Sequence, residues 1–204
     1  MNQAAEKLMI ATVILAAGES KRMTGIKQLL PWKGSTLLGY AIEQALKSDT
    51  DQVFVVLGAK KDIVLNRIDT SRISVIINDD WAEGMGTSIA ASINYFKARQ
   101  LHFDGILIKL IDQPLLDVKH YNTLINKYIN YKYIITTSYR SGSGVPAVFD
   151  KSYFNELNDL SSDKGAKGII FKHKDKVLVV DAGQRTIDLD TQETYLQYYE
   201  QFGK

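Results

Sequence analysis

Arg22 and Lys27 follow closely on Gly18, and Gly18 ends the apolar run Val13-Ile14-Leu15-Ala16-Ala17. Arginine offers a planar fork of donors and lysine a compact point charge, so together they suit an anion with several oxygens. Gly18 has no side chain to hold such an anion off the backbone, and it tolerates turns that other residues resist. A β-branched apolar run that stops at a glycine reads as a buried parallel strand opening into a loop. The stretch from Leu15 to Pro31 therefore reads as a phosphate cradle.

Two other segments carry suggestive groups. After Ile77 comes Asn78-Asp79-Asp80-Trp81-Ala82-Glu83-Gly84-Met85-Gly86-Thr87-Ser88. Its glycines and Thr-Ser pair lead into a helical pattern, and a helix N-terminus carries about half a positive charge. The segment is either an ordinary capped loop or a second anion contact. After Ile111 comes Asp112-Gln113-Pro114. An aspartate at that place either caps the next helix or ligates a metal, and the tripeptide alone leaves both open.

The elements that must position these groups alternate. Apolar, β-rich runs predict strands at 12–16, 52–57, 73–77, 105–111, 133–137 and 176–180. Residues 36–47 place Leu37, Leu38, Ala41, Ile42, Ala45 and Leu46 on one stripe, with Ser35 or Thr36 as cap. Residues 87–98 repeat the stripe with Ile89, Ala90, Ile93 and Phe96, and 118–130 with Tyr121, Leu124, Ile125 and Tyr128. Such alternation means βαβ crossovers and a mostly parallel sheet covered on both faces. Past Thr137 the pattern loosens into a glycine-rich loop, 138–144, and the run Val145-Pro146-Ala147-Val148-Phe149. A proline in a strand points to an edge or antiparallel position. No linker or repeat divides the chain, so residues 1–204 read as one α/β domain. Ligands of open parallel sheets sit beyond the carboxyl ends of the strands, which is where all the candidate residues fall.

Composition narrows the chemistry. The net charge of +2 carries no basic stripe of the kind nucleic acid requires, and Lys172, Lys174 and Lys176 read as a solvated face. There is no cysteine, which removes disulfides, thiolate metal sites and cysteine nucleophiles and is compatible with a reducing cytoplasm. The apolar run 8–17 is too short to span a bilayer and ends in the Gly18 loop, so it reads as the first core strand with 1–7 as a frayed lead-in. His102, His120 and His173 match no close-spaced metal pair. No G-x-S-x-G elbow, P-loop or G-x-G-x-x-G fingerprint occurs, which argues against serine hydrolysis and hydride transfer.

With these pieces assembled, the chain resembles the nucleotidyltransferases that activate a phosphorylated acceptor with an NTP, in particular the molybdenum-cofactor cytidylyltransferase-like branch. The resemblance rests on Leu15-Ala16-Ala17-Gly18, Ser20, Arg22-Met23, Lys27 and Leu29-Leu30-Pro31. It continues through Gly34 with Thr36-Leu37-Leu38, Trp81 with Gly84-Met85 and Ser88, and Asp112-Gln113-Pro114. Gly144 with Pro146, Asp163 with Gly165-Ala166, and Asp188-Leu189-Asp190-Thr191 complete it. Thr24 stands where the family has glycine, and Ser162 and Lys167 where it has Gly and Arg. The Ala16-Ala17 pair is similar to the cytidylyl branch, whereas guanylyl relatives carry Ala-Gly at the same two places.

The resemblance implies a three-layer α/β/α, Rossmann-like nucleotidyltransferase fold with a mostly parallel sheet and an antiparallel edge element. It implies transfer of CMP from CTP to the phosphate of molybdopterin, with release of pyrophosphate. Arg22 and Lys27 are the implied catalytic residues. Leu15, Ala16, Ala17, Gly18, Asn78, Gly84, Ser88 and Asp112 are implied to bind nucleotide, and Asp112 with Asp188 or Asp190 to hold Mg²⁺, which requires these acids to converge. A downstream molybdoenzyme or chaperone is the implied protein partner, in the cytoplasm and without membrane or nucleic acid. Two alternatives stay open: an enzyme using GTP or a sugar or polyol phosphate acceptor, and a non-catalytic nucleotide- or cofactor-binding module. Intact Arg22, Lys27, Asp112 and Asp190 count against the latter.

Overall fold

A computed structural model of the chain describes residues 7–140, 142–163 and 165–204. Seven strands form one sheet in the order β5-β4-β1-β6-β8-β7-β9. They are β1 (Ile10–Ala16), β4 (Gln52–Leu57), β5 (Ser74–Ile77), β6 (Gly105–Leu110), β7 (Ile134–Tyr139), β8 (Gly142–Asp150) and β9 (Val177–Val180), while β2 (Pro31–Trp32) and β3 (Ser35–Thr36) form a separate small hairpin. Strand β1 is interior to the sheet, parallel to both β4 and β6. Its residues are buried throughout, as an interior parallel strand with both faces covered must be.

Alternation along β1 sorts the side chains between two cores. Ala11, Val13 and Leu15 face α3 (Met85–Ala98), α5 (Phe154–Asn158) and α6 (Lys167–Lys172) through Ile89, Ile93, Leu157 and Ile170. Ile10 and Ile14 face α4 (Val118–Tyr131) and α1 (Leu37–Leu46), against Leu124, Ile125, Leu38 and Ala45. The short α2 (Lys61–Leu65) adds Val64 to this second face. Thr36, not Ser35, caps α1 by accepting the Gly39 N–H, and Asp117 caps α4 by accepting that of His120. Asp112 is thereby released from any capping duty.

The proline-bearing strand β8 is antiparallel to both neighbours, but it is interior to the sheet rather than at its edge; the edges are β5 and β9. The expectation of an edge position came from proline's missing N–H. Here the ladder with β6 ends at Ile108↔Ala147, and a register shift in the β7 pairing steps from Thr136↔Ala147 to Thr137↔Gly144. Pro146 falls in that gap, so no ladder bond needs its nitrogen, and its carbonyl accepts from Thr137 Oγ1 at 2.7 Å. The expected loop at 138–144 is largely strand, paired out to Tyr139↔Gly142.

The C-terminal segment wraps back over the first loop. Leu189 is buried with Trp32, Leu37 and Tyr195, and α7 (Gln192–Tyr198) docks there. Tyr195 donates to the Pro31 carbonyl at 2.9 Å, and the Thr24 N–H donates to Gln192 Oε1 at 3.2 Å. At the other end of the chain, Lys7 pairs with Asp51 at 2.6 Å, while the rest of the lead-in read from sequence lies outside the described residues. Among the described residues no helix is long and apolar enough to cross a membrane.

Candidate active site

A cavity of about 420 Å³ opens beyond the carboxyl ends of β1 and β6. Its walls include Leu15, Ala16, Ala17 and Gly18, the loop to Arg22, Lys27, Trp81, Gly84, Ser88, Asp112 and Asp190. The first loop is held from behind by Gln28, a buried residue that sequence reasoning missed. Its Nε2 donates to the carbonyls of Ala16 at 2.8 Å and Gly18 at 3.1 Å. The Ala17 carbonyl is also taken, by the Ala59 N–H at 2.9 Å. With these carbonyls turned inward to partners, the loop's outer face is left for an incoming anion.

Left-handed backbone in this loop occurs at Ser20 (φ 61°) and Gly25 (φ 101°), not at Gly18. Neither backbone conformation nor packing requires glycine at 18, since a Cβ there would meet nothing within 4 Å; the residue leaves open space on the cavity wall. Gly25, next to Thr24, makes the turn that a side chain would strain. The Thr24 backbone N–H is held by α7 through Gln192.

Lys27 is the centre of the site. Its side chain is only 8% exposed, and Nζ lies 3.2 Å from Asp112 Oδ2 and 3.0 Å from Asp190 Oδ1. Arg22 Nη2 approaches Asp190 Oδ2 at 3.2 Å from the solvent side, its side chain 69% exposed. Asp190 comes from far along the chain because the Leu189 N–H donates to the Asp112 carbonyl at 2.8 Å, next to the buried Leu189 side chain. Burial opposes the Asp190 charge, but Lys27 and Arg22 outweigh it and hold the carboxyl below its ordinary value. Asp112 goes the other way: burial raises it, Lys27 only partly offsets that, and Asp188 and Asp190 add repulsion. Asp188 stands apart from the Lys27 cluster; its Oδ1 accepts from Gln113 Nε2 at 2.8 Å and it lines the neighbouring cavity instead.

Asn78 does not reach the cavity. Its amide donates to Thr87 Oγ1 and Ser88 Oγ, both at 2.9 Å, and its carbonyl accepts the Asp80 N–H at 3.1 Å. It braces the first turn of α3 from behind. Gly84 and Ser88 do line the cavity. Gly84 (φ 121°) is required for close approach, since a Cβ would fall 2.3 Å from Asp163 Oδ1. Asp163 borders both this cavity and the next, and sequence reasoning gave it no role.

The donor set fits a hard divalent cation. Asp112 Oδ1 is buried without a hydrogen-bond partner, an orphaned anionic oxygen beside a second carboxylate. Among the described residues no group of three or more His, Cys, Asp or Glu side chains is arranged to hold an ion alone. Mg²⁺ is usually held by one or two carboxylates, with waters and substrate phosphates completing the octahedron. The histidines are elsewhere: His102 is exposed, His120 Nε2 is bonded to Thr137 Oγ1 at 2.8 Å, and His173 pairs with Glu156 at 2.8 Å.

Lys109 is a second buried cation that periodicity concealed. It occupies the α1/α4 face of β6, 2% exposed, with Nζ 3.3 Å from the Ala41 carbonyl and 4.6 Å from the centre of the Tyr121 ring. Burial lowers it to about 7, against the pull of Asp112. A lysine depressed in the folded state binds fewer protons there than in the unfolded chain, so its cost is fully present below pH 7 and is relieved as pH rises towards the unfolded value. Unfolding free energy of the wild type should therefore climb between pH 7 and 9, by up to about 1.4 kcal/mol per pH unit. Lys109→Met should flatten that climb in urea titrations; an unchanged slope would mean that Lys109 keeps an ordinary titration.

Residues 12–177 match the model of the MobA-like NTP transferase domain, so Asp188 and Asp190 lie beyond the matched segment. The nicotine blue oxidoreductase of Paenarthrobacter nicotinovorans is 31% identical over 195 residues, covering 90% of this chain and 93% of that protein. The molybdenum cofactor cytidylyltransferase of Escherichia coli (strain K12) is 35% identical over 85 residues, 41% of this chain and 44% of that protein. The crystal structure of Rv0371c from Mycobacterium tuberculosis H37Rv superposes with a TM-score of 0.82 at 29% identity, over 95% of this chain and 98% of that chain. The same protein in complex with manganese gives 0.76 at 27% identity, over 94% and 98%.

Proposed function

The chain belongs to the MobA-like NTP transferase domain family and is a nucleotidyltransferase, and from that premise we propose that it transfers CMP from CTP to the phosphate of a molybdopterin-type acceptor. The observation that carries the reading is Lys27, buried between Asp112 and Asp190 on the floor of a cavity rimmed by the first loop. In the reaction an oxygen of the acceptor's phosphate bonds to the α-phosphorus of CTP, and the bond from that phosphorus to the β-phosphate oxygen breaks. Pyrophosphate leaves with the electron pair.

A phosphate monoester is already anionic near neutral pH, so no strong base is needed. The barrier is electrostatic, because two anions must meet and charge must build on the leaving group. Positioning and preorganised charge then dominate catalysis. The Ala16–Gly18 backbone cradles the phosphates, Lys27 holds the triphosphate, and Arg22 faces the charge that develops in the transition state. Asp112 and Asp190 would hold Mg²⁺, which supplies Lewis acidity and a template when bound. A structurally similar protein was solved in complex with manganese, which supports the use of a divalent ion. Asp188, bonded to Gln113 on the far side, belongs with the acceptor. The product would pass to a molybdoenzyme or its chaperone in the cytoplasm.

The base is assigned from Ala17, buried and on the cavity wall, whose methyl leaves less room than the glycine of guanylyl relatives. Shape alone discriminates by about 1–3 kcal/mol, so CTP should be preferred over GTP by about ten- to two-hundredfold. Radiolabelled CTP and GTP competing at equal concentration, with Mg²⁺ and molybdopterin, give the ratio directly. A ratio at or below one moves the chain to the guanylyl or sugar-phosphate reading, and no incorporation of either label into any phosphorylated acceptor supports the binding module. Ala17→Gly should raise GTP use and leave CTP use largely intact.

A further inference from the structure

Three consecutive carbonyls at the end of β1 are bonded to buried residues, and one side chain holds two of them. Gln28 Nε2 donates to the Ala16 carbonyl at 2.8 Å and to the Gly18 carbonyl at 3.1 Å, while the Ala59 N–H holds the Ala17 carbonyl at 2.9 Å. Gln28 is 2% exposed. A flipped amide would set its oxygen against both carbonyls, so the orientation is fixed and both amide hydrogens are committed. In a planar trans peptide the N–H points opposite to the C=O. The N–H groups of Ala17 and Glu19, which follow the two carbonyls, are thereby turned away from Gln28, and both residues line the cavity.

Packing does not fix the loop at Gly18, where a Cβ would meet nothing within 4 Å, and a glycine loses more freedom on ordering than any other residue. The order comes from the carbonyl bonds. Gln28 also belongs to the same short turn as Lys27, residues Lys27–Leu29. Its two bonds therefore tie the loop to that turn and set the loop's N–H groups against the Lys27 ammonium, itself held between Asp112 and Asp190.

We propose that Gln28 is a positioning residue for nucleotidyl transfer: it sets the first loop against Lys27 before substrate arrives, so that a polyphosphate meets both without having to order the loop. Cutting that ordering cost favours binding and reaction alike. With its donors already spent, Gln28 acts through the loop rather than on substrate. The proposal rests on the phosphate-cradle reading above and needs neither its choice of base nor its choice of acceptor.

The probe is inorganic triphosphate with Mg²⁺, titrated by calorimetry into the whole chain, which leaves base and acceptor out of the test. Gln28→Met is close in size and cannot donate. It should bind the probe on the order of tenfold more weakly than the wild type, because two hydrogen bonds no longer hold the loop. In steady-state turnover the variant should raise KM for the nucleotide and lower kcat together. A merely structural role would reduce the amount of folded enzyme, and with it the apparent kcat, but leave KM where it was. An unchanged affinity for triphosphate in a folded Gln28→Met protein overturns the proposal, as does an unchanged KM. A second measurement needs no variant. In ligand-free wild-type protein the backbone order parameters of Ala17, Gly18 and Glu19 should lie near the rigid value of about 0.85, and values below about 0.6 overturn the proposal. A wild type that binds no triphosphate removes the cradle and the proposal with it, whereas label carried from GTP, or onto a sugar phosphate, overturns only the base or acceptor reading.

Discussion

Lys27→Ala is expected to lower kcat/KM for nucleotidyl transfer by a hundredfold or more while the chain still folds. Charge-assisted hydrogen bonds contribute about 1.5–3 kcal/mol each, and about 1.4 kcal/mol is a factor of ten in rate. The Lys27 ammonium makes two such contacts before substrate arrives, at 3.2 Å and 3.0 Å, and would exchange them in part for phosphate oxygens. Removing it also leaves Asp112 and Asp190 facing each other, with Arg22 paired to Asp190 alone. Losing one member of a buried ion pair costs about 3–5 kcal/mol, and the partial exposure of Asp190 reduces that to roughly 1–3. The loss should be smaller at pH 5 than at pH 8. Asp112 is already raised in the folded state, and without Lys27 it takes up a proton more readily than in the unfolded chain, which favours the fold as pH falls. Urea melts at the two pH values, beside steady-state rates, measure both effects. Wild-type activity in a folded Lys27→Ala protein would remove Lys27 from the mechanism.

The strands that carry the first loop were legible because interior parallel strands must be apolar on both faces. The runs in β1 and β4 leave no other use for such residues. The two cations were legible because a glycine loop at the carboxyl end of a strand is where an anion would meet Arg22 and Lys27. What escaped was set by contacts distant in sequence. Asp190 was expected beside Asp112 from the resemblance, not from any local pattern: its placement depends on Leu189 entering a core with Trp32 and Tyr195. Asn78 drew notice by its place at a strand exit; that its amide bonds the hydroxyls of Thr87 and Ser88 is a tertiary fact that no local pattern encodes. Lys109 was read as part of an apolar run, since one polar residue in a strand of six does not disturb the period. The interior place of β8 follows from a register shift that frees Pro146 from the ladder, and composition gives no sign of it.

Arg22→Ala should divide differently from Lys27→Ala, and the contrast tests the two roles assigned to the cations. Arg22 is mostly exposed and touches only Asp190 among these acids, so its loss should cost less than about 1 kcal/mol of stability. Its forked guanidinium sits where both cavities meet, which is where, in the proposed reaction, the acceptor's phosphate would approach the α-phosphorus. A group that acts there meets its full complement of charge only as the new bond forms. Removing it should therefore lower kcat by about a hundredfold and leave KM for CTP within a few-fold, the signature of an interaction made in the transition state. Lys27→Ala, by contrast, should raise KM for CTP as well. Arg22→Lys should recover only part of the rate, because a point charge cannot hold two oxygens in one plane. If Arg22→Ala turns over like the wild type, Arg22 is a surface charge paired to Asp190, and the charge that builds during transfer must be met by Lys27 and the divalent ion alone.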